Sequence, residues 1–121
     1  MAPDGMQTIN IPSLQGKVSK EEWGARGNLA CAYRLIAHYG WTHVTANHIS
    51  LRVPGEEEHF LLNPYGLLFD EVTASSLVKI DLDGNKVADS EFGINQAGYV
   101  IHSAIHGARK DICCAIHTHT E

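Results

Sequence analysis

The sequence predicts an α/β fold in which a largely antiparallel sheet packs against helices. Three observations carry this. Two segments, 19–39 and 95–109, repeat apolar residues at helical spacing. Four shorter runs read as strands, with turn residues after them. The order is helix, strands, helix, strand, which suits one sheet covered by helices.

The first helix is announced by Ser19-Lys20-Glu21-Glu22, which fits a capping box with Ser19 as N-cap and Glu22 reaching back to it. Trp23, Leu29, Ala30, Tyr33, Ile36 and Ala37 supply its apolar face, and Gly40 is the candidate C-cap. Gly24 and Gly27 weaken its first turns. His48–Val53 and His59–Asn63 form a hairpin about Pro54-Gly55. Pro64-Tyr65-Gly66 marks a turn, and Thr73–Ser76 reads as a short helical connection. Leu77–Leu82 is a third strand, ended by Asp83-Gly84-Asn85. The second helix starts near Asn95 and fades by Arg109-Lys110-Asp111. Its expected buried surface is Ala97, Tyr99, Val100, Ile101, Ala104 and Ile105. A last strand runs from Ile112 to His119. Residues 1–18, with Pro3, Gly5, Pro12 and Gly16, read as an extended or mobile lead-in, and the folded part is 19–121.

Composition narrows the classes of function. A chain of 121 residues with 44% hydrophobic and 19% charged residues suits one globular domain. A formal net charge of -5 argues against nucleic acid as a partner, because polyphosphate binding calls for a basic patch. No run approaches the ~20 apolar residues that cross a bilayer, and no basic-then-apolar leader pattern is seen. The three cysteines form no disulfide framework; adjacent Cys113 and Cys114 would point to opposite faces of a strand. Buried free thiols in a reducing cytoplasm are expected.

The chemistry gathers at the end of the last strand. His117 and His119, two apart, project side by side, as neutral imidazoles that bind one Zn²⁺ or Mn²⁺ do. A bare H-x-H also reads as two surface or hydrogen-bonded histidines. His102 and His106 share a face of the second helix, but they interleave with Ile101 and Ile105. They also lack the glutamate of a helical H-E-x-x-H motif, so packing or solvent contact is expected of them. His38, His43, His48 and His59 are scattered, and no role is assigned to them. No G-x-S-x-G serine and no Gly-rich phosphate loop is present.

The run GWTHVTANHISLRVPGEEEHFLLNPYGLLFDEVTASSLVKIDLDGNKV, followed by GINQAGYVIHSAIHGARKDICCAIHTHT, resembles the class II aldolase/adducin family from about Glu21 onward. Its middle, EHFLLNPYGLLFDEVTASSLVKIDLDG and INQAGYVIHSAIHGAR, is more similar to the adducin head and its bacterial relatives than to the sugar-phosphate aldolases. The resemblance implies a three-layer α/β/α fold around a central antiparallel sheet, of which this chain is the N-terminal part. It also implies a cytoplasmic homo-oligomer, commonly a tetramer. In the family's enzymes a divalent metal, usually zinc, sits on an H-x-H pair plus a later histidine. There it polarises a carbonyl and stabilises an enediolate in retro-aldol cleavage or epimerisation. His117 and His119 match the pair, and the third histidine is expected beyond residue 121. The resemblance also implies substrate-binding roles for Asn47, in the first phosphate-binding turn, and for Gly66, in the turn Asn63–Gly66. Asn47 has a plainer reading as well, because asparagine tolerates turn backbone conformations.

Three positions depart from the enzymes' pattern. The catalytic glutamate aligns with Gly98. Gln96 and Ala97 replace a phosphate-binding serine pair, and Tyr65 stands where a small hydroxyl residue is expected. Two functions are therefore carried forward. One is a metal-dependent lyase or epimerase on a small hydroxy-carbonyl, sugar-like substrate that need not be phosphorylated. The other is a non-catalytic, adducin-like structural or oligomerisation module.

Overall fold

The computed structural model describes residues 10–44 and 46–120. Its elements are α1 (Lys20–His38), β1 (His48–Val53), β2 (Glu56–Leu62), a 3-10 turn (Phe69–Glu71), β3 (Val78–Asp81), α2 (Gln96–Ala108) and β4 (Cys114–His117). The strands form one four-stranded sheet in the order β3-β2-β1-β4, with every pair antiparallel. The part of the lead-in within the described residues, 10–18, has neither helix nor strand. It is tied down by Leu14 N–H donating to Ser75 Oγ at 3.1 Å. No described helix is long and apolar enough to cross a membrane.

Ser19 caps α1 by accepting the Glu22 N–H at 3.0 Å. Glu22 does not close the expected capping box. Its carboxylate turns inward to Arg26 Nε at 2.9 Å and Lys79 Nζ at 3.0 Å, joining α1 to β3. Arg26 is buried because its guanidinium also reaches the Leu77 carbonyl at 2.8 Å. At the other end Gly40 takes φ +72°. The bonds Gly40 N–H to Ala37 O (3.0 Å) and Trp41 N–H to Ile36 O (3.1 Å) complete a Schellman stop.

Alternation on the strands sends residues to two different helices. Ile49, Val53 and Leu61 face α1, where they pack with Ala25, Leu29, Tyr33, Phe69, Val72 and Leu77. Tyr33 joins the layers. Its hydroxyl donates to the Ile49 carbonyl and accepts the Ile49 and Asn63 N–H groups, each at 3.0 Å. Burial pushes that phenol far above its ordinary pKa, so the group stays neutral. On the opposite face Phe60, Leu62, Val78 and Ile80 form a smaller core with Leu82, Phe92, Ile94 and Tyr99. The result is an α/β/α arrangement with the sheet in the middle.

The structure corrects five expectations about local detail. β2 begins earlier than read, at Glu56, and β4 is shorter, at Cys114–His117. Thr73–Ser76 is a turn rather than a helical connection. It is closed by Thr73 N–H to Ser76 Oγ (2.9 Å) and Ser76 N–H to Thr73 Oγ1 (3.1 Å), side-chain bonds that compete with a helix. The 3-10 turn after Leu68 had no signal in the sequence. The cysteines are exposed, not buried: Cys31 lies on the outer side of α1, Cys113 lies just before the edge strand β4, and Cys114 is its first residue.

The fifth correction bears on function. The buried residues of α2 are Gly98, His102 and His106, whereas Val100 (54% exposed) and Ile101 (46%) face outward. The helix turns its polar stripe, spaced i, i+4, i+8, toward the sheet. The strand beneath explains this orientation. β1 presents His48, Ser50 and Arg52 on that face, so the matching surface is one that can hydrogen-bond.

Candidate metal centre and buried histidine seam

β4 lies beside β1 with His48 opposite His117 and Ser50 opposite Ala115. Directly opposed residues share a face, so His117 stands over the same side of the sheet as His48. The two rings stack, with centroids 4.7 Å apart and planes inclined by 20°. His119 is just past the strand, held by its own N–H donating to the Trp41 carbonyl at 3.1 Å. The Nε2 atoms of His117 and His119 converge to 3.1 Å. An ion bound tetrahedrally by two imidazoles at ~2.0–2.1 Å holds their nitrogens ~3.3 Å apart, so the pair fits one such ion with little movement. Both rings are exposed, which leaves room for further ligands. Among the described residues no group of three or more His, Cys, Asp or Glu side chains is arranged to hold a metal. The pair is thus two ligands of a set that needs more.

The other sequence-predicted residues converge on one neighbourhood. Asn47 is fully buried. Its Oδ1 accepts the His43 N–H at 2.8 Å and its Nδ2 donates to the Val44 carbonyl at 3.4 Å, closing a tight turn in which Val44 takes φ +49°. That turn presents the His43 ring to His119, edge on, at a centroid distance of 5.5 Å. Gly66 lies in the turn after β2 with φ +96°, a conformation that favours glycine. The neighbouring Tyr65 N–H donates to the Gly93 carbonyl at 2.9 Å, joining this turn to the segment before α2. Residues of the three segments, among them His43, Ala46, Tyr65, Asn95 and Gln96, line an open cleft of about 600 Å³.

Sequence reasoning missed the seam beneath the pair. His48, His102, Ser50, His106 and Arg52 form one continuous chain. His48 Nδ1 meets His102 Nε2 at 2.7 Å. His102 Nδ1 bonds Ser50 Oγ, which bonds His106 Nε2 at 2.7 Å. His106 Nδ1 faces Arg52 Nη2 at 3.3 Å. No buried side-chain nitrogen or oxygen among the described residues lacks a partner, so the seam is fully satisfied. Burial is the main reason all three imidazoles are held below the ordinary histidine pKa. His102, also beside His48 and His106, is pushed down to about 4; His106 is lowered further by Arg52, and His48 by its histidine neighbours. A signal was available in hindsight. His48, Ser50 and Arg52 alternate along β1 just as His102 and His106 recur on α2, so two polar stripes of different period were waiting to meet.

Gly98 sits over this seam. A Cβ built there would lie 3.1 Å from His48 Cδ2 and 3.2 Å from its Cγ. The His48 ring fills the space that a side chain at residue 98 would enter.

A family model described as "Class II Aldolase and Adducin N-terminal domain" matches residues 27–121. A Caulobacter vibrioides protein classed with the class 2 aldolases is 54% identical over 121 residues, all of this chain and 46% of that protein. Alpha-adducin from Rattus norvegicus is 52% identical over 97 residues, 78% of this chain and 13% of adducin. Among solved structures, an aldolase II superfamily protein from Pseudomonas syringae superposes with a TM-score of 0.86 at 57% identity, over 91% of this chain and 44% of that one. L-fuculose 1-phosphate aldolase from Glaciozyma antarctica superposes at 0.77 with 30% identity, over 95% and 46%. The chain belongs to the class II aldolase/adducin family. It spans less than half the length of the bacterial relative and of both solved structures.

Proposed function

We propose that this chain is the N-terminal part of a divalent-metal-dependent lyase or epimerase that acts on a small hydroxy-carbonyl, sugar-like compound. The observation that carries the reading is the convergence of the His117 and His119 Nε2 atoms to 3.1 Å at the end of an edge strand. His117 and His119 hold the ion, most simply Zn²⁺, and a third histidine from outside residues 1–121 completes the set. When bound, the ion supplies Lewis-acid polarisation of a carbonyl oxygen. The chain's own residues do the positioning. Asn47 fixes the turn that sets His43 against His119. Gly66 shapes the turn on the cleft's other wall, where Tyr65 sits. Family membership also supports action as a homo-oligomer and a cytoplasmic setting. Gln96, Ala97 and Tyr65, where the aldolase pattern has phosphate-binding residues, favour an unphosphorylated substrate.

The test is turnover of a panel of aldols and 4-epimers by zinc-loaded protein beside His119→Ala. Activity that disappears in the variant supports the reading; equal turnover in both overturns it. A second reading has its own support. The chain is 52% identical to alpha-adducin but 30% identical to the fuculose-phosphate aldolase, and Gly98 lacks the carboxylate of the enzymes' pattern. On that reading the domain is a structural or oligomerisation module, and the substrate panel gives no turnover at all.

A further inference from the structure

The cleft beside the histidine pair has a chemistry of its own. It opens from His43, whose ring meets His119, and runs past Val44 and Tyr65 to Asn95 and Gln96 at the start of α2. A phosphate or carboxylate is held in such a place by a cation or by the bare N–H groups of a helix start. Among the described residues that line the cleft none is Lys, Arg, Asp or Glu. The helix start is closed by its own cap. Asn95 Oδ1 accepts the Ala97 N–H at 2.9 Å and the Gly98 N–H at 3.4 Å, and the Asn95 carbonyl accepts the Tyr99 N–H at 2.9 Å. An anionic group entering here has to displace that cap, and it leaves water for walls that carry no counter-charge.

What the cleft offers instead is apolar surface and neutral hydrogen-bonding groups. Val44 is 65% exposed and Tyr65 59%. Val44 takes φ +49°, which a β-branched residue rarely adopts. The Asn47 side chain holds the turn there through the His43 N–H and the Val44 carbonyl, so a strained turn presents an apolar side chain to the cleft. The Gln96 amide, exposed on the first turn of α2, both donates and accepts. We infer that this cleft takes an uncharged end of the hydroxy-carbonyl compound, with C–H groups against Tyr65 and Val44 and hydroxyls on Gln96. The carbonyl end then points toward His117 and His119. This class is narrower than an unphosphorylated compound, because a sugar acid with a carboxylate at that end is excluded as well. Tyr65 and Asn95 set the specificity: one supplies the face, and the other closes the anion site. The direction in which the compound lies rests on the metal reading above; the preference for a neutral end does not.

The experiment is saturation-transfer difference NMR on the metal-free protein with L-erythrulose, a neutral four-carbon ketose, and with its 4-phosphate. Erythrulose is expected to take saturation at its C4 protons, and the phosphate ester to bind at least about tenfold more weakly, the cost of an unpaired charge. Tyr65→Ala is expected to weaken erythrulose about two- to tenfold, the worth of an aromatic face, while Tyr65→Phe keeps it. Asn95→Gly uncovers the Ala97 and Gly98 N–H groups at little cost to the helix and is expected to gain binding of the phosphate ester. No saturation of erythrulose overturns the inference. So does a phosphate ester that binds the parent as well as erythrulose, or erythrulose binding unchanged in Tyr65→Ala. An Asn95→Gly variant that gains nothing overturns the role given to the cap. Zn²⁺ is then added to the same samples. Tighter erythrulose binding that is lost in His119→Ala supports the metal reading; no response to zinc removes that reading and leaves the cleft's preference standing on the metal-free spectra.

Discussion

Tyr33 and Ser50 show how single hydroxyls hold this molecule together. Tyr33 accepts two backbone N–H groups, one on β1 and one just past β2, and donates to a third backbone group. Tyr33→Phe keeps the ring against Phe69 but leaves buried backbone groups unpaired. A loss of about 2–4 kcal/mol is expected from urea unfolding, given ~1–3 kcal/mol per orphaned group. Ser50→Ala strands His102 Nδ1 and His106 Nε2 in the same way and is expected to cost a similar amount. A cost under about 1 kcal/mol for Ser50→Ala would mean that the seam relaxes or takes in water, against the satisfied geometry described here.

At the scale of elements, the joint between α2 and β1 makes stability depend on pH. His102 and His106 pack against His48, Ser50, Arg52, the Phe60 ring and the Ile112 backbone, and among the described residues no carboxylate is hydrogen-bonded to either ring. Their folded-state pKa values lie below the unfolded value, His102 at about 4 and His106 lowered. Between there and the ordinary histidine pKa of about 6.5 the unfolded chain binds more protons, so stability falls as pH drops through that window. Urea midpoints taken from pH 7 down to pH 4 are expected to fall. Replacing Glu22 with Gln is not expected to abolish that trend. Flat midpoints across the window would contradict a neutral seam.

The same joint marks what was legible in the sequence. Ser19, Gly40 and Asn95 were read correctly as helix boundaries, because caps are local chemistry. The hairpin, the third strand and the sheet's antiparallel character followed from alternation and turns. The buried face of α2 did not. Apolar spacing pointed to Val100, Ile101 and Ala104, and only the polar stripe on β1 reveals that His102 and His106 turn inward. His48 was passed over for the same reason: its partners lie 54 and 69 residues away in sequence. The resemblance singled out His117, His119, Asn47 and Gly66, but spacing alone left the pair open between a metal site and a surface.

At the scale of the whole molecule, several apolar side chains face outward and the sheet has an open edge. Among the described residues β4 has a partner strand on one side only, and Ile116 on it is 59% exposed. Val100 and Ile101 on α2 are exposed as well. A protein consisting of these residues alone is expected to self-associate with rising concentration, because an unpaired strand edge and exposed apolar side chains each invite pairing. Sedimentation velocity across a concentration series checks this, and Ile116→Lys is expected to shift the distribution toward monomer. A monomer at every concentration would show that the edge is already blunted.

The most direct test of the central claim is the zinc stoichiometry of the longer protein that joins these residues to the third histidine, read by native mass spectrometry beside His117→Ala and His119→Ala. The pair at the end of β4 predicts about one ion per chain, lost in either variant. An ion that persists in both variants, or none bound in the parent at saturating zinc, would contradict it.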